Sequence, residues 1–265
     1  MADSAWLQAQ GISRTSIHDY VRRGWLERVA PRVYRRGSDP VRAGTVRWDM
    51  AIISAQRTGS TAFHVGGQSA IELHGVGHFG RADGDRLIHL YGPADAVPSW
   101  LAGLQTDASL VVHTRNPLPA DLGIEWRRMD LGTTRLGAAV RSPDAGEAWD
   151  HFLRVASPER AAIEMLDAVP KQLSFEHADA IFENLATLHP KLVTALLSEC
   201  TSVRAKRLFL FFADRHDHPW TRHIDRSDID LGAGKRQLWP GGRLDARYQI
   251  TVPPGMASKA GETAQ

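Results

Sequence analysis

The stretch GISRTSIHDYVRRGWLERVAPRVYRR, residues 11–36, decides the reading of the N-terminal fold. Ser13 stands where an N-cap belongs, and the helix it opens runs to about Arg23. Gly24 follows, a residue suited to the left-handed stop at a helix end. At 100° per residue Ile17, Tyr20 and Val21 fall on one stripe, the i, i+3, i+4 pattern of a buried face. Thr15, Asp19 and Arg22 point away from that stripe, flanked by Arg14, Ser16, His18 and Arg23. Beyond Gly24, two β-prone runs at 26–29 and 33–36 surround Ala30-Pro31-Arg32, which predicts a hairpin.

Upstream, Ser4 is expected to cap a short helix that carries Trp6 and Leu7 and ends at Gly11. Helix, glycine-containing turn, helix is the helix-turn-helix outline, and the hairpin adds a wing. Charge agrees with this pattern. Nine arginines face Asp3, Asp19, Glu27 and Asp39 in the first 47 residues, a net +5 in a chain whose total is +2. Such a concentration is the footprint of a polyanion partner, although a solvated basic face has the same composition. Helix order, caps, wing and charge together point to double-stranded DNA. The expected contacts are Ser13, Arg14, Thr15, Ser16, His18, Arg22 and Arg23 on the second helix, and Arg32, Arg35 and Arg36 on the wing. Asp19 is discordant: it either accepts from a cytosine amino group or holds Arg22 or Arg23 in place.

At 265 residues, with 43% hydrophobic and 23% charged residues, the chain suits a globular protein of one large or two modest domains. The division expected is a winged helix-turn-helix at 1–47, a larger domain at 48–252 and a disordered polar tail at 253–265. Gly37-Ser-Asp-Pro reads as a turn and linker. Helices are expected from Trp48 to about Arg57 and from Gln68 to about His74, with strands at 87–91, 110–113 and 125–129. From Ser157 the chain turns helical, with starts at Ser157-Pro158, after Ser174, at Pro190 and near Val203. Leu-Phe-Leu-Phe-Phe at 208–212 is apolar on all sides and therefore expected to be buried. The fold class is α+β: a winged helix followed by a mixed α/β domain whose second half is helical.

Exclusions narrow the chemistry. No apolar stretch approaches the roughly 18 residues that span a bilayer, and the N-terminus lacks a signal-peptide pattern, so no membrane and a cytoplasmic location are expected. One cysteine, Cys200, precludes an internal disulfide framework, and its apolar stripe predicts a core thiol. His74 and His78 are separated by helix-breaking glycines. His216, His218 and His223 cluster near Asp214 and Asp217, but no established ligand spacing accompanies them, so neither metal nor cofactor is expected. Leu-Gly-Ala-Gly-Lys-Arg at 231–236 lacks the spacing of a phosphate loop. No glutamate has Lys or Gln two residues later, and no Gly-x-Ser-x-Gly elbow occurs, which disfavours an enzyme.

Residues 6–36, with Trp-Leu…Gly-Ile-Ser-Arg…Tyr-Val-Arg-Arg-Gly-Trp-Leu-Glu-Arg…Val-Tyr-Arg-Arg, resemble the N-terminal domain of AbiEi-type antitoxins of type IV toxin–antitoxin systems. The resemblance continues through Phe-His-Val-Gly-Gly-Gln-Ser-Ala-Ile-Glu-Leu-His-Gly at 63–75 and Val-Arg-Ala-Lys-Arg-Leu-Phe-Leu at 203–210. It extends to Asp-Leu-Gly-Ala-Gly-Lys-Arg at 230–236 and Gly-Gly-Arg-Leu-Asp-Ala-Arg-Tyr-Gln-Ile-Thr-Val-Pro at 241–253. It implies a bacterial repressor that binds repeats in its own promoter, and a C-terminal domain that neutralises a co-expressed nucleotidyltransferase toxin without needing a stable complex. No catalytic residues follow from it. Arg204, Lys206, Arg207, Lys235, Arg236 and Arg243 are the expected antitoxin surface. The competing readings are a transcriptional regulator whose C-terminal domain senses a small molecule, and a DNA-directed enzyme.

Overall fold

The computed structural model describes residues 1–37, 45–59, 61–76, 86–129 and 151–256. The linker after Gly37, His78 and the tail from residue 257 lie outside the described residues. The chain condenses into two compact units, one from residues of 1–65, 81–115 and 125–155, the other from residues of 66–80, 116–124 and 156–265.

The first unit opens with β1 (Ala2–Asp3), α1 (Ser4–Ala9), α2 (Arg14–Arg22), β2 (Leu26–Ala30) and β3 (Val33–Arg36). The expected hairpin forms, and β1 adds a strand on its far side, giving the antiparallel order β1-β3-β2. Leu7, Ile17 and Ala2 form a small core, against which Trp6, Ile12, Leu26 and Tyr34 pack. The chain then enters α3 (Trp48–Thr58). The Met1 ammonium donates to Ser54 Oγ of that helix at 2.8 Å, and burial, followed by the charge of Arg57, lowers its pKa.

The same unit holds a five-stranded mixed sheet of β4 (His64–Val65), β5 (Leu87–Tyr91), β6 (Ser109–His113), β7 (Ile124–Arg128) and β8 (Phe152–Ala156). Its order is β6-β5-β4-β8-β7, with β4 antiparallel to β5 and both β5–β6 and β4–β8 parallel. Val65, Ile88, Leu90, Leu153 and Val155 are buried on one parity of their strands. Gln56 of α3 satisfies both ends of its buried amide there, donating to Phe63 O and accepting from the Arg154 amide, each at 3.1 Å. On the opposite parity His64, Tyr91 and His113 stand opposed across β4, β5 and β6, with Tyr91 and His113 stacked at 4.4 Å. His89 Nδ1 lies 2.8 Å from His113 Nε2. Burial, and secondarily the charge of His113, holds His89 down to about 4.

The second unit contains α4 (Gly67–Leu73), α6 (Pro158–Leu166), α7 (Phe175–Asn184), α8 (Pro190–Glu199) and α9 (Val203–His216); the short helix at Ser99–Ala102 in the first unit is α5. Ser157, Ser174 and Ser202 cap three of these helices, accepting from the amides of Arg160, His177 and Ala205. Residues 208–212 of α9 are buried, and Phe182 of α7 meets Phe209 edge-on at 5.3 Å. A buried ion pair joins α6 to α4 and the 116–124 segment. Arg160 Nε donates to Glu164 Oε1 at 2.8 Å and its Nη1 to the carbonyls of Pro119 and Leu122, both at 2.6 Å. Glu164 also accepts from the Gly67 amide and Asn116 Nδ2. Cys200 is buried as expected, and burial pushes its thiol pKa up.

The unit closes with a hairpin of β9 (Arg243–Asp245) and β10 (Ile250–Val252) and a 3-10 turn at Pro254–Met256. Order therefore continues past the expected start of the tail. Met256 is buried, and its carbonyl accepts from Arg215 Nη1 at 3.3 Å.

Candidate nucleic-acid interface

Local chemistry builds the helix-turn-helix with one shift from expectation. Asp3, not Ser4, is the N-cap of α1: its Oδ1 accepts from the Trp6 amide at 2.7 Å. The Ser4 amide is instead used by the Arg32 carbonyl at 2.8 Å, because β1 pairs with β3 immediately before the helix. Gly11 and Gly24 take positive φ, 84° and 74°, and end α1 and α2 where a side chain would strain the backbone. Ser13 caps α2 as expected, its Oγ 3.0 Å from the Ser16 amide.

Ile17 is the fully buried member of the inward stripe, and Tyr20 and Val21 are half-buried. Arg14, Thr15, His18, Arg22 and Arg23 are exposed, so the outward face is the one expected. Ser16 is half-buried, its hydroxyl 2.8 Å from that of Ser13. Asp19 pairs with Arg22 at 2.9 Å. Arg14 donates to Gln8 Oε1 at 3.2 Å. At the C-terminal end the Arg23 guanidinium lies 5.6 Å from the ring centre of Trp25, which is 58% exposed and 5.5 Å from Tyr20. Trp25 is not among the expected contacts.

In the wing, Ala30 pairs with Val33 around Pro31-Arg32, and Arg32 adopts φ 64° at the exposed tip. Arg36 is also exposed. Arg35 is not a free wing cation. Directly opposed to Glu27 across the ladder, it donates to both carboxylate oxygens at 2.7 and 2.9 Å. Its charge is spent inside the hairpin.

The expected antitoxin surface divides. Arg207 is buried: its guanidinium donates to the carbonyls of Leu231 (2.8 Å), Gly232 (3.0 Å), Gly234 (2.7 Å) and Gln249 (3.2 Å). Burial, and next the charge of Arg236, lowers its pKa. Lys206 is buried beside it in sequence, and Arg204 is half-buried and paired with Asp167 at 3.0 Å. Arg207 and Lys206 lie on the buried part of α9, which packs against α6 and α7, and sequence charge does not reveal this. Lys235, Arg236 and Arg243 are exposed.

In the histidine group His216 and His218 stack at 6.0 Å, yet each Nε2 has its own partner. His216 Nε2 lies 2.8 Å from Asp179 Oδ1, and His218 Nε2 lies 2.9 Å from the Phe182 carbonyl in the last turn of α7. Among the described residues no group of three or more His, Cys, Asp or Glu side chains is arranged to hold a metal ion. No described helix is long and apolar enough to cross a membrane.

A helix-turn-helix with a cationic outer face, joined to a larger α+β body, is the build of a transcriptional regulator. Residues 1–81 match the family described as the transcriptional regulator AbiEi antitoxin N-terminal domain, and residues 85–253 match the transcriptional regulator AbiEi antitoxin of type IV toxin–antitoxin systems. The chain belongs to the AbiEi antitoxin family. Its fold is similar to that of the RV2827C protein from Mycobacterium tuberculosis in its crystal structure. That likeness has a TM-score of 0.52 at 18% identity, and covers 92% of this chain and 82% of the other. No curated protein matches the sequence.

Proposed function

We propose that this antitoxin binds double-stranded DNA at repeats in its own promoter, represses its operon, and neutralises a co-expressed nucleotidyltransferase toxin. The observation that carries the DNA reading is the single exposed face of α2, with Arg14, Thr15, His18, Arg22 and Arg23, next to a wing whose tip presents Arg32 and whose end presents Arg36. The capped N-terminus of α2 adds backbone N–H groups suited to a phosphate. Arg22, steadied by Asp19, is the proposed base reader, and Arg32 and Arg36 the phosphate contacts. The N-terminal 47 residues carry this role, and residues 48–252 carry the antitoxin activity, with Lys235, Arg236 and Arg243 its remaining surface candidates. The protein acts without catalysis of its own and in the cytoplasm.

The test separates the two jobs in the full chain. An Arg14/Arg22/Arg32/Arg36 quadruple alanine variant is expected to lose promoter binding and repression while still rescuing cells from the toxin. Unchanged promoter binding would overturn the winged-helix assignment. Loss of rescue together with repression would overturn the division of labour. A regulator whose C-terminal half senses a small molecule is the second reading, favoured by a cleft in that half.

A further inference from the structure

α9, β9 and the turn ending at Met256 border a cleft of about 590 Å³ in the second unit. That is within the range of small-molecule sites. Its lining combines apolar groups, Phe211, Leu244 and Met256, with the guanidinium-bearing Arg215, Arg243 and Arg247 and the carboxylates of Asp214 and Asp245, the latter buried and accepting from the Tyr248 amide at 2.8 Å. Such a combination selects for a ligand with two unlike ends.

The polar part is built. Asp214 accepts from Arg226 at 2.5 and 3.2 Å, from the Tyr248 hydroxyl at 2.5 Å, and pairs with Arg247 at 2.6 Å. Two cations on one carboxylate leave a positive remainder. Arg247 lies 5.5 Å from the Tyr248 ring centre, and Tyr248 is itself buried, so this guanidinium is held in a defined place. Only Nη1 of Arg247 is committed to Asp214, and two-thirds of its side chain is exposed. Arg243 is exposed and has no side-chain partner among the described residues. Two guanidiniums therefore offer open donors at the edge of apolar surface, a geometry suited to bidentate capture of an anionic head.

We propose that this cleft binds a small organic anion, with its phosphate or carboxylate on Arg243 and Arg247 and its apolar body against Phe211, Leu244 and Met256. The site is independent of the DNA contacts and does not rest on them.

Ligand-observed NMR titration of the full chain tests it with phenyl phosphate, phenylacetate, inorganic phosphate and benzyl alcohol. Phenyl phosphate or phenylacetate is expected to saturate one site, the tighter of the two identifying the head group. Inorganic phosphate and benzyl alcohol, each lacking one end, are expected to bind at least tenfold more weakly. The R243Q/R247Q double variant, with an unchanged thermal unfolding midpoint, is expected to lose at least tenfold in affinity, and K235Q to lose nothing. Absence of saturable binding by both aromatic anions overturns the proposal, as does equal binding by the double variant. Inorganic phosphate binding as tightly as phenyl phosphate also overturns it.

Discussion

Arg35 and Glu27 face each other across the wing hairpin and are joined by two parallel hydrogen bonds of 2.7 and 2.9 Å. The pair makes Arg35 a cross-strand brace within the wing. Arg35→Gln is therefore expected to cost about 0.2–1 kcal/mol of stability while leaving the salt dependence of DNA binding unchanged. Arg32→Ala and Arg36→Ala should each reduce the salt slope by about one. Fluorescence anisotropy across a salt series distinguishes these residues. A slope reduced by Arg35→Gln would return that residue to the interface.

Trp25 is exposed while its ring lies 5.5 Å from that of Tyr20 and 5.6 Å from the Arg23 guanidinium. A large aromatic fixed at the end of the proposed reading helix fits a deoxyribose or an unstacked base. Trp25→Ala should lower promoter affinity about tenfold, equivalent to about 1.4 kcal/mol, and change urea stability by no more than about 0.5 kcal/mol. Equal promoter affinity would assign the ring to local packing alone.

Arg207 satisfies four backbone carbonyls from within α9. Arg207→Met strands those acceptors and should destabilise the chain by about 3 kcal/mol or more. Lys235→Ala, at an exposed position, should stay within about 0.5 kcal/mol. Urea unfolding of both variants reads the contrast, and similar midpoints would contradict the role assigned to Arg207.

His89, held near 4 by burial and His113, makes stability depend on mild acid. Its folded pKa lies below the unfolded value of about 6.5, so the neutral ring is the native form. Above 6.5 both states are neutral and the contribution is complete. As pH falls from 6.5 toward 4 the unfolded chain takes up a proton that the folded chain refuses, and stability declines. The urea midpoint should therefore drop between pH 7.5 and 5, and His89→Gln should flatten that dependence. Parallel profiles for the two proteins would remove His89 as the cause.

What the sequence alone reports is local. The cap at Ser13, the stops at Gly11 and Gly24 and the stripe of Ile17, Tyr20 and Val21 are set within a few residues, so sequence spacing reports them. Ser157 and Ser174 announce their helices in the same way. What escaped was decided at a distance. The two-residue strand β1 has no period to detect, and its pairing with β3 moves the α1 cap from Ser4 to Asp3. Arg207 looks like surface charge until the carbonyls that receive it, 24 to 42 residues further along, are in place. Arg35 likewise needs the hairpin register to bring Glu27 opposite.

Three of the carbonyls gathered by Arg207, those of Leu231, Gly232 and Gly234, fix a loop whose side chains at 233, 235, 236 and 237 all face solvent. Gly232 and Gly234 take φ 61° and 76° within that loop, a conformation a side chain would strain. Frame and display are thus assigned to different residues. Substitutions at the four outward positions alter what the loop presents while its shape is kept from the inside. A library randomised there would sample new surfaces on one unchanging support.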